Sequence, residues 1–270
     1  MPMNEDVEKN RISRAVGSGM TAPERKRLSI TSRGFPTMSP GNDGVEAARP
    51  RLRAAIGGTE AGQAIYSPLV LGLYDAYVLG FSNHILWRCP TWKLRQLYDR
   101  NVSRAHIDVG VGTGYFLDRA LWPVPQPKIT LVDLNANSLR AASQRIARYS
   151  PRVVLADALE PLPEMGPFDS AALCYLLHCL PGTLPDKAAV FDRLRPLLAP
   201  SARVFGATIV QGSSRRSRAA QVLMDAYNRM GVFSNQLDSA EVLGEVLASR
   251  FADVRVELVG TVALFEARAP

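Results

Sequence analysis

The chain has 270 residues, of which 47% are hydrophobic, and this length allows one domain with a substantial core and an appended segment. Its 32 basic and 25 acidic residues leave a formal net charge of +7, which permits an acidic partner but does not require one. Three cysteines, Cys89, Cys174 and Cys179, form no Cys-x-x-Cys pair, so the composition favours neither a disulfide framework nor a zinc site.

Residues 1–60 are predicted to form a disordered basic tail, because they are rich in Ser, Pro, Gly, Arg and Glu and show little apolar periodicity. The rest of the chain is weakly charged and has no dense stripe of Lys and Arg, so nucleic acid is not a favoured partner. A docking or targeting arm is the alternative role for the tail. No secretory signal and no membrane span of roughly 20 apolar residues is recognisable, so a cytoplasmic protein without a membrane partner is expected.

Residues 61–101 are predicted to form amphipathic helices. Apolar side chains recur at intervals of three and four, as at Leu69, Leu73 and Tyr77. Pro90 should interrupt this pattern, and Thr91 is expected to cap the helix that follows.

A glycine-rich turn follows the first predicted strand, residues 105–109. Gly110, Gly112 and Gly114 alternate between an apolar run and a helix-like segment. Glycines allow a tight turn that brings main-chain N–H groups to a ligand at the positive end of the next helix. A glycine-rich turn alone is weak evidence for a ligand site. A strand before it, a helix after it and an acidic residue at the next strand end make that evidence stronger.

Acidic residues end the next two predicted strands, residues 129–133 and 152–155. Asp133 comes 19 positions after Gly114, close to the roughly 20 expected for a carboxylate that accepts hydrogen bonds from ribose hydroxyls. Asp157 follows the third strand. Three strand ends therefore carry a glycine turn or an acid, which favours a nucleoside-containing ligand across the carboxyl edge of a parallel sheet.

The remaining chain alternates strands and helices. Strands are predicted at 168–174, 202–210, 252–258 and 261–267, and helices at 113–121, 136–147, 186–197, 216–230 and 239–249. This alternation indicates an α/β fold with a doubly wound, seven-stranded sheet. Only Val259 and Gly260 separate the last two strands, so they form a hairpin and the last strand is antiparallel in a mostly parallel sheet. Asp238, with Glu241 three residues later, is expected to cap the last helix.

The combined motifs resemble those of the class I S-adenosylmethionine-dependent methyltransferases, over about residues 100 to 268. In that family the first block is Asp/Glu-x-Gly-x-Gly-x-Gly, which Asp108 and the three glycines match. The acid in Val-Asp-Leu-Asn holds the ribose, and the acid in Ala-Asp-Ala reaches the adenine. NAD-binding proteins usually space their glycines as Gly-x-Gly-x-x-Gly, unlike this chain. The family also shows the antiparallel last strand.

The resemblance implies S-adenosylmethionine as cofactor and a set of residues that bind it. These are Asp108, Gly110, Gly112, Gly114, Asp133, Leu134, Asp157, Ala158, Cys174 at the fourth strand end beside the sulfonium, and Tyr66. It further implies that residues 61–101 are lid helices over a cofactor-binding core at 102–270. Tyr66, Tyr74 and Trp87 of the lid are candidates to line an acceptor pocket, with packing in the core as the alternative for each.

The fourth strand leads to a loop with little recognisable chemistry. The Asn/Asp-Pro-Pro-Tyr block of enzymes that methylate base amines is missing, and no carboxylate cluster is left for a metal, so none is predicted. His178 is expected on a loop that faces the site, where it would act as a general base or only pack and position. Cys174 and Cys179 are expected to be buried apolar residues.

Residues 227–235 are a second candidate wall of the acceptor pocket, with an ordinary connecting loop as the alternative. The sequence thus predicts a metal-independent methyltransferase that acts on a small organic molecule. It resembles enzymes that tailor natural products in microbial secondary metabolism, and oxygen is favoured over nitrogen or carbon as the acceptor. RNA or protein methylation is the alternative enzyme class, and a cofactor-binding regulatory protein without transfer activity is the third.

Overall fold

The computed structural model describes residues 86–211 and 218–270, and within them seven strands form one mixed sheet. The strands are β1 (Ala105–Val109), β2 (Lys128–Asp133), β3 (Arg152–Leu155), β4 (Phe168–Cys174), β5 (Leu198–Ile209), β6 (Ala252–Val259) and β7 (Val262–Arg268). Their order is β3-β2-β1-β4-β5-β7-β6, with β1 to β5 parallel and β7 antiparallel to both of its neighbours. The predicted sheet with an antiparallel last strand is therefore confirmed.

Helices connect the strands. They are α1 (Thr91–Asn101), α2 (Tyr115–Arg119), α3 (Ala136–Arg145), α4 (Leu184–Lys187), α5 (Ala189–Leu194), α6 (Arg218–Arg229) and α7 (Ala240–Ala248), with 3-10 turns at Ala147–Tyr149, Leu177–Cys179 and Arg195–Leu197. The single helix predicted at 186–197 is divided into two short helices and a turn. Pro196 lies in that turn, where its missing N–H prevents a regular helix from continuing.

The sheet is packed on both faces, because successive strand residues point to opposite sides. On one face Leu131 of β2 and Leu264 of β7 belong to a buried cluster that includes Leu94 of α1. On the other face Leu173 of β4 lies in a second cluster with Phe191 of α5. Burial of these two apolar layers holds the strand ends, and the loops that follow them, at fixed positions.

Two predicted helix caps are wrong. Thr91 is the first residue of α1, and Pro90 occupies the cap position without a side-chain hydrogen bond. Ser239, not Asp238, caps α7, because its side chain accepts a hydrogen bond from the N–H of Val242 at 3.2 Å. Asp238 turns inward and forms an ion pair with a buried lysine, and this long-range contact prevails over the local cap.

The hairpin between β6 and β7 holds the segment that precedes α1. The N–H of Thr261 donates to the carbonyl oxygen of Trp87 at 2.9 Å. Gly260 has a φ of +62°, and a Cβ there would lie 2.2 Å from the same oxygen, so only glycine fits this approach. The Trp87 side chain is 3% exposed, which supports core packing as its role.

The predicted tail at residues 1–60 and most of the predicted lid, including Tyr66 and Tyr74, lie outside the described residues. The domain boundaries at residues 60 and 101 therefore stay predictions. In the part of the chain that the structure describes, no helix is both long and apolar enough to cross a membrane.

Candidate active site

A cleft at the carboxyl ends of β1 to β4 has a volume of about 1080 Å³, including the part open to solvent. Parallel strands bring the loops at their carboxyl ends to one edge of the sheet, which is where the sequence predicts a nucleoside-containing ligand. Seven of the predicted cofactor-binding residues line this cleft: Gly110, Gly112, Asp133, Leu134, Asp157, Ala158 and Cys174.

The glycine-rich turn after β1 forms part of the cleft. Gly110, Gly112 and Gly114 all have positive φ, at 77°, 52° and 73°. A Cβ on Gly110 would lie 2.9 Å from the Leu176 side chain, and one on Gly114 would lie 2.9 Å from the backbone of Ala142. A Cβ on Gly112 would have no heavy atom of the described residues within 4 Å, so it would point into open space. Two of the glycines therefore allow close packing, and Gly112 leaves room for a ligand.

Asp133 ends β2 at the cleft. Its Oδ1 accepts a hydrogen bond from the backbone N–H of Asn135 at 2.8 Å, and the Asn135 side chain caps α3. Burial raises the pKa of the Asp133 carboxyl to about 6, although backbone N–H groups, first that of Asn135, lower it. A carboxylate that is costly to ionise is stabilised by hydroxyl donors, and a ribose offers two of them side by side.

Asp157 follows the adjacent strand, β3. Its Oδ1 accepts a hydrogen bond from the N–H of Leu159 at 3.0 Å, which holds the carboxyl in a turn beside the cleft. Ala156 and Ala158 on either side also line the cleft, and their small side chains leave space for a flat ring. A carboxylate in this place is suited to accept a hydrogen bond from the amino group of such a ring.

Asp108 lies behind the glycine turn and is 2% exposed. Its Oδ2 accepts a hydrogen bond from the Tyr98 hydroxyl at 2.8 Å and lies 3.6 Å from Nε2 of His106. The Tyr98 ring stacks on Phe116, with centroids 5.2 Å apart, and it lines the cleft. Tyr98 could not be assigned to the site from the sequence, because its spacing is that of an apolar helix position and gives no signal of this hydrogen bond.

The end of β4 contributes Cys174 and Tyr175 to the cleft. Tyr175 has a φ of 60°, which is unusual for a residue with a side chain, and its N–H donates to the carbonyl oxygen of Ala207 at 2.7 Å. Burial raises the pKa of the Cys174 thiol well above its ordinary value and that of Cys179 to about 12. Both thiols are therefore protonated at neutral pH and unsuited to act as nucleophiles.

His178 does not face the cleft as the sequence predicts. Its side chain is 4% exposed, and within the described residues it is not part of the cleft wall. Its Nδ1 accepts a hydrogen bond from the N–H of Ile209 at 3.3 Å and lies 3.3 Å from the Thr208 hydroxyl. Burial, with a smaller contribution from the Lys187 charge, lowers the pKa of the ring to about 3. A buried imidazole with this pKa is a poor general base, so the geometry favours the packing and positioning role.

The two elements predicted to line an acceptor pocket, the segment with Trp87 and residues 227–235, meet His178 in one aromatic cluster. Tyr227, in the last turn of α6, and Phe233, on the segment that follows it, pack with their ring centroids 4.9 Å apart. Phe233 also meets His178 edge-on at 4.6 Å and Trp87 at 6.2 Å. The segment at 227–235 therefore lies against the 3-10 turn Leu177–Cys179, and its rings are packing partners of one another.

Two further predictions concern the role of Tyr66 and the lack of a metal site. Tyr66 lies outside the described residues, so its role stays a prediction. Within the described residues, no group of three or more His, Cys, Asp or Glu side chains is arranged to hold a metal ion.

The chain is similar in sequence to known methyltransferases. A family profile described as a methyltransferase domain matches residues 107–204. Demethylluteothin O-methyltransferase of Streptomyces thioluteus is 39% identical over 207 residues, which cover 76% of this chain and 90% of that protein. The physcion biosynthesis cluster O-methyltransferase of Aspergillus chevalieri is 38% identical over 216 residues, which cover 78% of this chain and 96% of that protein.

Solved structures share the fold at low sequence identity. N-methyltransferase NodS from Bradyrhizobium japonicum WM9, in complex with S-adenosyl-L-homocysteine, aligns with a TM-score of 0.52 and 14% identity over 75% of this chain and 97% of that chain. Phosphoethanolamine N-methyltransferase 2 of Haemonchus contortus, in complex with S-adenosyl-L-methionine, aligns with a TM-score of 0.56 and 16% identity over 76% of this chain and 58% of that chain. At such identities the likeness concerns the fold alone.

Proposed function

The chain belongs to the methyltransferase family, and from this premise we propose that it transfers a methyl group from S-adenosylmethionine to an oxygen atom of a small organic molecule. The observation that carries the proposal is the convergence of the glycine turn, Asp133 and Asp157 on one cleft. Main-chain N–H groups, a carboxylate for the ribose and a carboxylate for the adenine are the contacts that a nucleoside cofactor needs. The biological setting that we propose is a natural-product tailoring step.

The described residues fit this cofactor. Gly112 leaves open the space into which a Cβ would point. Asp133 would accept hydrogen bonds from the ribose hydroxyls, with Leu134 beside the sugar. Asp157 would accept a hydrogen bond from the adenine amino group, with Ala158 against the ring. Each of these residues lines the same cleft.

Asp108, Tyr98 and Cys174 are assigned to the methionine end of the cofactor. The Tyr98 hydroxyl occupies Oδ2 of Asp108, which leaves Oδ1 to receive the ammonium group of the amino-acid part. Cys174 borders the cleft at the end of β4, where the reacting end of the cofactor would lie. Gly110 and Gly114 contribute indirectly, because they allow the turn to pack closely against Leu176 and Ala142.

The cofactor supplies an electrophilic methyl group on a sulfonium, so the chain has to align an acceptor oxygen with it and exclude water. Burial raises the pKa of Tyr98, Cys174 and Cys179 well above neutrality, so these cleft groups stay uncharged. These groups offer no positive charge, which a phosphate-rich nucleic acid would require and a conjugated small molecule does not. Because His178 is buried and neutral, an acceptor that ionises readily, such as a phenol or an enol, needs the least help from the described residues.

Oxygen is favoured as the acceptor atom because two relatives, at 39% and 38% identity, are named O-methyltransferases. The names of those two proteins refer to demethylluteothin and to physcion biosynthesis, which supports a small-molecule acceptor for this chain as well. The solved N-methyltransferases do not bear on the acceptor, since at 14% and 16% identity they share only the fold.

The proposal is tested with the purified full-length chain and S-adenosylmethionine that carries a labelled methyl group. The label is offered to demethylluteothin, to a set of simple phenols and enols, to an RNA pool and to a protein pool. We expect the label on one or more of the small molecules, in a methoxy group identified by mass spectrometry. Label on RNA or protein would overturn the small-molecule assignment, and failure of S-adenosylhomocysteine to bind in calorimetry would overturn the cofactor assignment.

A further inference from the structure

A buried ion pair lies behind the cleft and has no part in the chemistry described above. Lys187 at the end of α4 and Asp238 before α7 have side chains that are 0% and 1% exposed. The ammonium Nζ lies 2.5 Å from Oδ2 of Asp238 and donates a second hydrogen bond to the carbonyl oxygen of Ser234. Burial lowers the pKa of Lys187 and raises that of Asp238, and each partner opposes the effect on the other.

A buried ion pair of this kind often contributes little to the stability of a fold. Removing two charges from water is expensive, and apolar side chains of similar volume often serve the fold as well or better. A more plausible function for such a pair is to fix one arrangement of the groups around it.

The pair holds the segment 231–238 against the ends of β4 and β5. The N–H of Ser234 donates to the carbonyl oxygen of His178 at 2.8 Å. The amide of Asn235 donates to the carbonyl oxygen of Ile209 at 3.0 Å, and the N–H of Gln211 donates to the carbonyl oxygen of Asp238 at 2.7 Å. Lys187 links this segment to α4, because its ammonium group at the end of that helix donates hydrogen bonds to both Asp238 and Ser234.

The 3-10 turn Leu177–Cys179 connects this segment to the cleft. Cys179 and the next residue, Leu180, line the cleft. His178, between Leu177 and Cys179, is not part of the cleft wall within the described residues, and its ring packs edge-on against Phe233 of the held segment. A shift of the segment would therefore move the turn, and with it two residues of the cleft wall.

The pair lies on segments that follow β4 and β5, whereas the residues assigned to the nucleoside follow β1, β2 and β3. The glycine turn, Asp133 and Asp157 follow β1, β2 and β3, and β4 and β5 come after them in the sheet order. Asp133 and Asp157 are held by N–H groups of their own loops, at Asn135 and Leu159. Disturbing the pair should therefore leave the nucleoside contacts in place.

We propose that Lys187 and Asp238 are positioning residues that hold the 3-10 turn Leu177–Cys179 and thereby shape the acceptor side of the cleft. The inference rests on the proposed function, because it takes this cleft as the place where cofactor and acceptor meet. The pair acts through His178 and the segment 231–238, and it touches neither ligand.

The test replaces the pair by apolar side chains in the double variant Lys187→Met/Asp238→Leu, which avoids leaving one buried charge alone. The matched control is Arg250→Gln, which breaks the exposed ion pair of Arg250 with Asp192. Three quantities are measured in both variants and in the wild type: the Kd of S-adenosylhomocysteine, amide hydrogen exchange along the chain, and the KM of the small-molecule acceptor that the wild type methylates.

In the double variant we expect the Kd of S-adenosylhomocysteine to stay within about threefold of the wild type. Exchange should become about tenfold faster in residues 176–180 and 231–238 while β1 and β2 keep their protection. The KM of the acceptor should rise about tenfold, since a small misplacement of a binding wall is costly. Arg250→Gln should change none of these quantities.

Faster exchange throughout the sheet, unchanged exchange in the two segments, or a Kd of S-adenosylhomocysteine that rises as much as the KM would overturn the inference. If the double variant does not fold, Lys187→Met/Asp238→Asn takes its place, because it also removes both charges and keeps a polar side chain at position 238; the same segments should loosen to a smaller extent. A wild type that binds S-adenosylhomocysteine but methylates no small molecule would refute the proposed function, and hydrogen exchange would still decide whether the pair holds the turn.

Discussion

The two sides of the cleft are built by contacts of different range. On the side of β1 to β3, the assigned groups are held locally: Asp133 by the N–H of Asn135 and Asp157 by the N–H of Leu159, each two residues further along the chain. On the side of β4 and β5, the decisive contacts join residues that are far apart. Lys187 is 51 positions from Asp238 and 47 from Ser234.

This difference predicts how each side responds to substitution. A change on the β1 to β3 side removes a ligand contact together with a hydrogen bond inside the same short loop, so its structural effect should stay local. A change on the β4 and β5 side releases a segment before it affects any ligand.

Asp133→Ala should weaken S-adenosylhomocysteine binding by about 100- to 1000-fold, since two hydrogen bonds to a charged acceptor are lost. Its melting temperature should change little, because the carboxyl is costly to ionise in the free protein. Calorimetry measures the affinity, with Asp118→Ala as the control for an acid that pairs with Arg148 at the surface. Equal affinity in Asp133→Ala and the wild type would refute the ribose assignment.

Gly112→Ala and Gly114→Ala should distinguish a glycine that leaves space for the ligand from a glycine that allows the backbone to pack closely. A Cβ at Gly114 meets the backbone of Ala142 at 2.9 Å, so this variant should lose about 2–3 kcal/mol of unfolding free energy. The Cβ at Gly112 has open space, so its fold should lose only the strain of the positive φ, about 1–2 kcal/mol, while affinity for S-adenosylhomocysteine falls about tenfold or more. Denaturant unfolding measures the stability of each variant, and calorimetry measures its affinity for S-adenosylhomocysteine. Equal losses of stability together with equal affinities in the two variants would contradict the assignment of Gly112.

Cofactor affinity should depend on pH through Asp133. The carboxyl has a raised pKa of about 6 in the free protein, and only its ionised form accepts both ribose hydroxyls. Affinity for S-adenosylhomocysteine should therefore fall about tenfold between pH 7 and pH 5, as the carboxyl takes up a proton. His178 should add no step in this range, because its pKa is about 3.

The control for this pH dependence is Asp133→Asn, which should bind more weakly and without the change between pH 7 and pH 5. The contribution of Asp133 to the stability of the free protein should follow the opposite trend. Because the folded carboxyl holds its proton more tightly than the unfolded one, the stabilisation is present at low pH and is lost as pH rises through about 6. A pH-independent affinity in the wild type would contradict the raised pKa.

Tyr98→Phe should have the smallest effect. It removes the hydrogen bond to Asp108 at 2.8 Å and keeps the ring against Phe116, so affinity for S-adenosylhomocysteine should fall about fivefold. Methylthioadenosine, which lacks the amino-acid part, should bind equally well to the variant and the wild type. Tyr115→Phe, at another tyrosine of the cleft wall, is the matched control. A parallel loss for both ligands would place Tyr98 at the nucleoside instead.

Local chemistry made much of this protein predictable. The strand at 105–109, the glycine turn and the acids that end β2 and β3 follow from hydrophobic pattern and from what glycine and aspartate do at a strand end. The hairpin between β6 and β7 followed from the two residues available to connect them. In each case the physical constraint acts within a few residues, so the sequence contains it directly.

The errors have the opposite origin. Asp238 has the local pattern of a helix cap, but Lys187 draws its carboxylate into the interior and leaves the cap to Ser239. His178 follows a strand end that borders the cleft, but its ring packs on Phe233 and turns away. Neither outcome can be derived from spacing, because the competing partner lies on another element of the fold.

The sheet, the turn and the acids at its carboxyl edge can be derived from the sequence, because backbone conformation and apolar periodicity are properties of neighbouring residues. The folded molecule was needed to find that Tyr98 supports Asp108, that His178 is buried and neutral, and that an ion pair lies behind the wall of the cleft. These features depend on which distant side chains share a low-dielectric interior, where a single partner changes both the orientation and the charge state of a group.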